Sequence, residues 1–167
     1  MIRVVVDDLA FVGADAIVRP ASALLEPTTP TLRRLEQIGG PKFWEQLRAE
    51  RELAVGSAVV TGGGDLTAEL VIHAIIRSAT EPVSRDSVRR ALTAALQRAA
   101  DWQLAHLAIP PLGIGAGNLP LEDAARVMTE TLGWVPGPTG YPRDVTVVVD
   151  TEEEQHLFQT LLGSARS

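Results

Sequence analysis

Two rhythms of apolar and polar positions run along this chain, one of period two and one near 3.6, and they set its elements. Ile2 to Val6 is a continuous β-branched run, the pattern of a strand covered on both faces. Asp7, Asp8 and Gly13 break it. Asp15 to Val18 is a second short strand, stopped by Arg19-Pro20, and Ser22 to Pro30 is a loop stiffened by Pro27 and Pro30. Thr31 opens a helix with Leu32, Leu35 and Ile38 on one face. Gly39-Gly40-Pro41 interrupts it, and Phe43, Trp44 and Leu47 continue in a second short helix toward Glu50. Ala54 to Thr61 reads as a strand ending in the turn Gly62-Gly63-Gly64-Asp65, and Leu70 to Ile76 reads as another.

From Ser84 to Gln103 the period is helical. Val88, Leu92 and Leu96 form a stripe beside Ala91, Ala95 and Ala99, while Arg85, Arg89, Arg90 and Arg98 take other faces. Leu107 to Ile109 is a short apolar run, and Pro120 opens a helix with Glu122 and Asp123 in its first turn. Val145 to Val149 is the last strand, reached through the Gly/Pro-rich loop Pro136 to Pro142. Thr151-x-x-Glu154 is a capping-box pattern, and the helix behind it buries Leu157, Phe158, Leu161 and Leu162. Residues 1–162 are expected to form one domain and residues 163–167 a frayed tail. Strands that alternate with helices and lack polar alternation predict an α/β domain with a mostly parallel, covered sheet. Ligands of such folds bind at the carboxyl ends of the strands. Asp8, Ser22 and the Gly113 to Gly117 loop all follow strands.

Composition narrows the classes. The chain has 167 residues, 46% of them hydrophobic, enough for a sizeable core. No apolar run approaches the roughly 18 residues that cross a bilayer. After Met1 there is no signal-peptide layout, so a cytoplasmic protein is expected. Cysteine is absent, which excludes disulfides and thiolate metal sites. Net charge is -6, with 15 Lys+Arg against 21 Asp+Glu, so a broad nucleic-acid footprint is not expected. Lysine occurs once, at Lys42, and prolines number 11, a usage that points to a GC-rich or heat-adapted source.

The chemistry concentrates in IPPLGIGAGNLP, Ile109 to Pro120. Gly113, Gly115 and Gly117 lie between a strand and a helix N-terminus. Glycine admits φ > 0 and close approach of a ligand, and the N–H groups of such a loop and of the first helical turn can face an anion. The same spacing also serves a plain tight connection. Asp7-Asp8 at a strand end can hold a ligand or cap a turn. His73, inside an apolar strand, reads as a hydrogen-bonded core histidine, with no Ser or Glu at a spacing that suggests a partner.

Taken together, the motifs resemble the macrodomain, the ADP-ribose-binding module. The family's block Gly-x-Ala-x-x-Thr-x-Gly, Leu, Val-Ile-His-Ala is matched by Gly56, Ala58, Thr61, Gly63, Leu66 and Val71-Ile72-His73-Ala74. Its Pro-x-Leu-Gly-Thr-Gly-x-Gly-Gly-x-Pro loop is matched by Pro110 to Pro120, and Asp15-Ala16-Ile17-Val18 matches the strand before its Asn-Ala-Ala-Asn. Asp7-Asp8-Leu9 stands where the family has Gly-Asp-Ile. The resemblance implies a three-layer α/β/α sandwich around a mixed, mainly parallel sheet. It implies that Asp8 accepts from an adenine amino group, that the Leu9 backbone meets the ring edge, and that backbone N–H groups of Gly115, Ala116 and Gly117 cradle a diphosphate, with Gly113, Ile114 and Asn118 of the same loop also in the ligand site. No cofactor and no metal are implied. The partners implied are ADP-ribose or another adenosine diphosphate and ADP-ribosylated proteins.

Three departures shape the expected function. Asn-Ala-Ala-Asn is Arg19-Pro20-Ala21-Ser22 here, so Ser22 stands where a carboxamide contacts the distal ribose. One such hydrogen bond is worth roughly 0.5–1.5 kcal/mol. The family's Gly-Gly-Gly run falls on Thr28-Thr29-Pro30, where threonine resists φ > 0 and proline has no N–H. Ile114 replaces a Thr, and Asn118 a Gly, in the phosphate loop. The expectation is therefore a binding module with a degenerate distal-ribose site. The alternatives are a hydrolase acting on ADP-ribosylated protein or O-acetyl-ADP-ribose, and a degenerate domain that binds another nucleotide or serves as a protein-interaction scaffold.

Overall fold

The computed structural model describes residues 1–48, 51–115 and 118–165. Its strands are β1 (Ile2–Val6), β2 (Ala16–Ser22), β3 (Ala58–Gly62), β4 (Leu70–Arg77), β5 (His106–Ile109) and β6 (Asp144–Val149). Its helices are α1 (Pro30–Gly39), α2 (Pro41–Trp44), α3 (Arg85–Asp101), α4 (Leu121–Leu132) and α5 (Glu152–Ala165). The strands form one sheet in the order β1-β6-β5-β2-β4-β3, parallel throughout except for β3, which pairs antiparallel with β4 at one edge. This is the expected mixed, mainly parallel sheet.

Period two assigns the two faces. Ala16 and Val18 of β2 and Ile72, Ala74 and Ile76 of β4 join a core with Val88 and Leu92 of α3, Met128 of α4 and Phe158 of α5. Ile17 of β2 and Val71 of β4 face the other way, onto Leu32 and Leu35 of α1 and Phe43 of α2. Helices therefore cover both faces, which is why the strands carry so few polar positions. The result is a three-layer α/β/α sandwich.

Several boundaries differ from the sequence reading, each for a tertiary reason. β2 does not stop at Arg19-Pro20 but runs to Ser22, pairing with β4 along its length. β5 pairs only with Ala16 and Ile17, so Pro20 has one paired neighbour and is tolerated as on an edge strand. β3 begins at Ala58 rather than Ala54, because Ala54 to Ser57 turns: Ser57 N and Oγ both donate to Ala54 O, and Gly56 has φ +91°. α2 ends at Trp44, and Gln46 then bridges to β3, its Oε1 accepting from Gly62 N and its Nε2 donating to Gly62 O. Glu50, the expected end of that helix, lies outside the described residues. The Thr151 capping box forms as expected, with Thr151 Oγ1 accepting from Glu154 N and Glu154 Oε2 from Thr151 N. α5 continues through Gly163 to Ala165, within the segment read as a tail. No helix among the described residues is long and apolar enough to cross a membrane.

Candidate functional site

The site starts where two parallel strands part. β2 and β5 pair at Ala16–Leu107 and Ile17–Ala108 and no further. Beyond that point the chain leaves β2 toward α1 on one face of the sheet and leaves β5 toward α4 on the other. A crevice at the carboxyl edge follows from this topology. It has a volume of about 410 Å³. Asp7, Asp8 and Leu9 after β1, Asp150 after β6, Pro20 of β2, and Pro110 and Pro111 after β5 line it. Thr31, Leu32, Arg34 and Leu35 of α1 line it too, as do Thr28, Thr29, Gly113, Ile114 and Gly115.

Asp8 is held by its neighbours. Its Oδ1 accepts from Ala10 N at 3.0 Å, and its Oδ2 lies 3.0 Å from Arg34 Nη1. Asp7 Oδ1 in turn accepts from Asp8 N at 2.7 Å. So the Asp7-Asp8 pair does shape the turn after β1, and Asp8 also reaches across to α1. Asp150 sits nearby, and burial, with Glu154 and Asp8 adding to it, pushes its carboxyl above the ordinary aspartate range.

At the other end the glycine loop is fixed by the chain that follows it. Leu119 N donates to Gly113 O at 2.8 Å, Asn118 Nδ2 to Ile114 O at 3.1 Å and Asn118 N to Gly115 O at 3.1 Å. Gly113 has φ +83°, and a Cβ there would meet Val88 Cγ2 at 2.8 Å. Gly115 has φ +119°, and its Cβ would meet Thr29 Cγ2 at 3.2 Å. Both positions therefore require glycine.

Of the residues singled out from sequence, Asp8, Leu9, Gly113, Ile114 and Gly115 share this cleft. Asn118 is not among its lining residues and braces the loop through Ile114 O. Ser22 does not line it either: it is buried, and its Oγ accepts from Glu26 N at 3.1 Å. Ala116 and Gly117 lie outside the described residues. Sequence reasoning missed Arg34, although it stands off the apolar Leu32–Leu35 face of α1 and so had to point elsewhere.

It also missed the network behind the cleft. Arg19 is fully buried, with Nη2 donating to Leu25 O at 2.9 Å and paired with Glu36 Oε1, and with Nη1 at 3.2 Å from His73 Nδ1. His73 Nε2 lies 2.8 Å from Thr61 Oγ1, whose hydroxyl donates to Gly62 O. The histidine is thus hydrogen-bonded in the core, as expected, but it does have side-chain partners, Arg19 and Thr61. Arg19 can only donate, so Nδ1 accepts and the proton belongs on Nε2. Burial, and then the Arg19 charge, hold the His73 pKa down to about 3. Burial also lowers the Arg19 pKa, against the opposing pull of Glu36. The signal available in the sequence was an arginine inside an apolar strand, which requires a buried carboxylate partner. Among the described residues, no three His, Cys, Asp or Glu side chains are grouped so as to hold a metal ion.

Comparison with known proteins agrees with this architecture. The Macro domain family model matches residues 32–128. A protein of Aquifex aeolicus is 35% identical over 163 residues, 97% of this chain and 98% of that protein. An O-acetyl-ADP-ribose deacetylase of Enterobacter sp. (strain 638) is 30% identical over 167 residues, covering 96% of this chain and 93% of the relative. The chain spans about a third of the length of the mycobacterial relatives it matches, 34% of the Mycobacterium tuberculosis protein at 31% identity. Among solved structures, the Oceanobacillus iheyensis macrodomain with ADP superposes with a TM-score of 0.85 at 20% identity, covering 98% of this chain and 90% of the other. The chain belongs to the Macro domain family.

Proposed function

We propose that this chain binds ADP-ribose or a related adenosine diphosphate in the cleft between β2 and β5. The observation that carries this reading is that one cleft is lined both by an acceptor, Asp8, and by a positive-φ glycine loop. Asp8 already accepts from Ala10 N and from Arg34, yet a carboxylate has about four lone-pair sites, which leaves room for a base amino group. In the glycine loop, the carbonyls of Gly113, Ile114 and Gly115 are engaged by Asn118 and Leu119. Those bonds fix the loop, and the donors it would offer an anion are its backbone N–H groups. Membership of the Macro domain family, one member of which was solved with ADP, supports the same ligand class.

Gly115→Val tests this. A valine there must adopt φ +119° and displace Thr29, strain of about 1–3 kcal/mol. The variant is expected to fold with a lowered melting temperature and to lose the rise in melting temperature that excess ADP-ribose or ADP gives the parent. A folded variant that keeps the whole rise would refute the phosphate-loop role.

A second reading, a hydrolase, is favoured by the Enterobacter deacetylase, 30% identical along almost the whole chain. Against it stand Ser22, whose hydroxyl is engaged by Glu26 N, and Thr28-Thr29-Pro30 in place of glycines. Acetate release from O-acetyl-ADP-ribose by the purified protein would establish the enzyme; binding without release leaves the binding module.

A further inference from the structure

A bound base needs cover on its faces as well as a partner on its edge, and no aromatic ring of this chain stands where it could give that cover. The chain has three phenylalanines, three tryptophans and one tyrosine, and none of them lines the cleft. Phe43 and Phe158 are fully buried in the two cores on either side of the sheet. Tyr141 lies under the guanidinium of Arg143, 4.7 Å from its ring centroid. Phe11, Trp44, Trp102 and Trp134 are exposed outside the lining.

What the lining offers instead is Arg34, the only Lys or Arg among the described residues that line the cleft. Its side chain is 53% exposed and is held through one nitrogen: Nη1 lies 3.0 Å from Asp8 Oδ2 and 3.3 Å from Asp8 Oδ1. Its Nε and Nη2 have no partner among the described residues. A guanidinium is flat, delocalised and weakly hydrated, and it lies well on aromatic rings and on nucleobases. Asp8 brings the two planes together. The carboxylate that holds Arg34 is the same one that would accept from a base amino group, so a base bound there is a neighbour of the guanidinium. Leu9, Ala10, Leu35 and Val148 supply apolar lining for the rest of the base.

We infer that Arg34 is the base platform of this cleft, its guanidinium plane covering one face of the base whose amino group Asp8 accepts. This inference rests on the adenosine-diphosphate reading above. It assigns Arg34 to the base and not to the phosphates, and it makes the plane, more than the charge, the part that binds. Arg34→Lys is therefore the discriminating change: lysine keeps the charge and can keep Asp8 as its partner, but it has no plane.

Calorimetry with ADP on the parent, Arg34→Lys and Arg34→Ala tests it, together with the NMR signal of the Arg34 Cδ methylene protons. Arg34 is half-exposed, so both variants should fold. Arg34→Ala should bind ADP at least about fivefold more weakly than the parent, and Arg34→Lys at least about threefold more weakly. In the parent, the Arg34 methylene signal, assigned by its absence from Arg34→Lys, should move upfield as ADP is added, the ring-current direction for a group above an aromatic plane. Arg34→Lys with the parent's affinity overturns the platform, because charge alone would then suffice. A methylene signal that stays in place or moves downfield overturns it too. In both cases ADP binding by the parent leaves the adenosine-diphosphate reading standing. A parent that binds no ADP overturns both.

Discussion

Two arginine–carboxylate pairs hold α1 to its neighbours, one on the cleft and one away from it. Arg34–Asp8 lines the cleft, with side chains 53% and 38% exposed. Arg19–Glu36 joins β2 to α1 outside that lining, with side chains 0% and 19% exposed. Arg34 and Glu36 are two residues apart on α1, so they leave the helix on different sides. The chemistry of the two pairs is the same and the surroundings differ, which decides what each can do. Water screens the outer pair, and such pairs contribute about 0–1 kcal/mol. It can open for a ligand at little cost. In the inner pair the guanidinium has no exposed surface and only 19% of Glu36 reaches solvent, and breaking such a pair costs about 3–5 kcal/mol. The pair on the cleft is built to exchange partners and the buried pair to keep them.

The sharpest way to break this contrast is Arg19→Met. It leaves Glu36 without its cation and leaves Leu25 O and His73 Nδ1 without their donor. A loss of about 3–5 kcal/mol in denaturant unfolding is expected; a loss below about 1 kcal/mol would mean that the buried pair holds no more tightly than the exposed one.

Asp8→Ala comes next. Asp8 is half-exposed at a strand end, so its removal leaves no cavity. Stability should stay within about 1 kcal/mol, while adenosine-containing ligands lose a charge-assisted hydrogen bond worth about 1.5–3 kcal/mol. An unchanged dissociation constant would reduce Asp8 to shaping the turn.

Acid should weaken the inner region before the outer one. His73 stays neutral in the folded protein down to about pH 3, whereas its ordinary value is 6.5. Between those values the unfolded chain binds a proton that the folded chain does not. The contribution is therefore complete above pH 6.5 and is lost progressively as pH falls toward 3, at about 1.4 kcal/mol per pH unit. Between pH 6.5 and 5.5, where the unfolded histidine goes from half to almost fully protonated, the parent should lose about 1 kcal/mol that His73→Gln does not lose. Equal slopes would show that His73 is not the responsible group.

The smallest effect belongs to Arg34→Gln. Removing the outer cation should change stability by less than about 1 kcal/mol, and the difference between parent and variant should shrink as salt is added. A larger loss would erase the distinction between the two pairs.

How far the sequence revealed these two regions follows from how local each feature is. β1, β4, α3 and the Thr151 capping box were legible, because runs and periods within a few residues determine them. The glycine loop was legible for the same reason: Gly113 and Gly115 stand where a strand must turn into a helix. The end of β2 was not, because Pro20 looks like a stop until one knows that β5 pairs only with Ala16 and Ile17. The start of β3 was lost to a turn around Gly56 inside an apolar stretch. Within the cleft, Asp8 and Leu9 were reached through a motif. Ser22 followed from the same motif, yet the structure turns its hydroxyl to Glu26 N. The Arg19–Glu36–His73–Thr61 network joins positions far apart in the chain: the β2–β4 register sets Arg19 beside His73, β3 beside β4 brings Thr61, and α1 brings Glu36.

The burial of Arg19 has a consequence for how this chain can change over generations. A lineage that replaces Arg19 alone leaves an unpaired carboxylate behind, at a cost that is a large share of the 5–15 kcal/mol holding a typical domain together. A lineage that replaces Glu36 alone strands a cation with no exposed surface. The two positions are therefore epistatic: each constrains the other, and a smooth path away from this pair requires both to change nearly at once. Asp8 and Arg34 pair in contact with water, and either can drift singly. The lining of the cleft is thus free to explore new ligands one substitution at a time, while the buried pair is inherited as a unit.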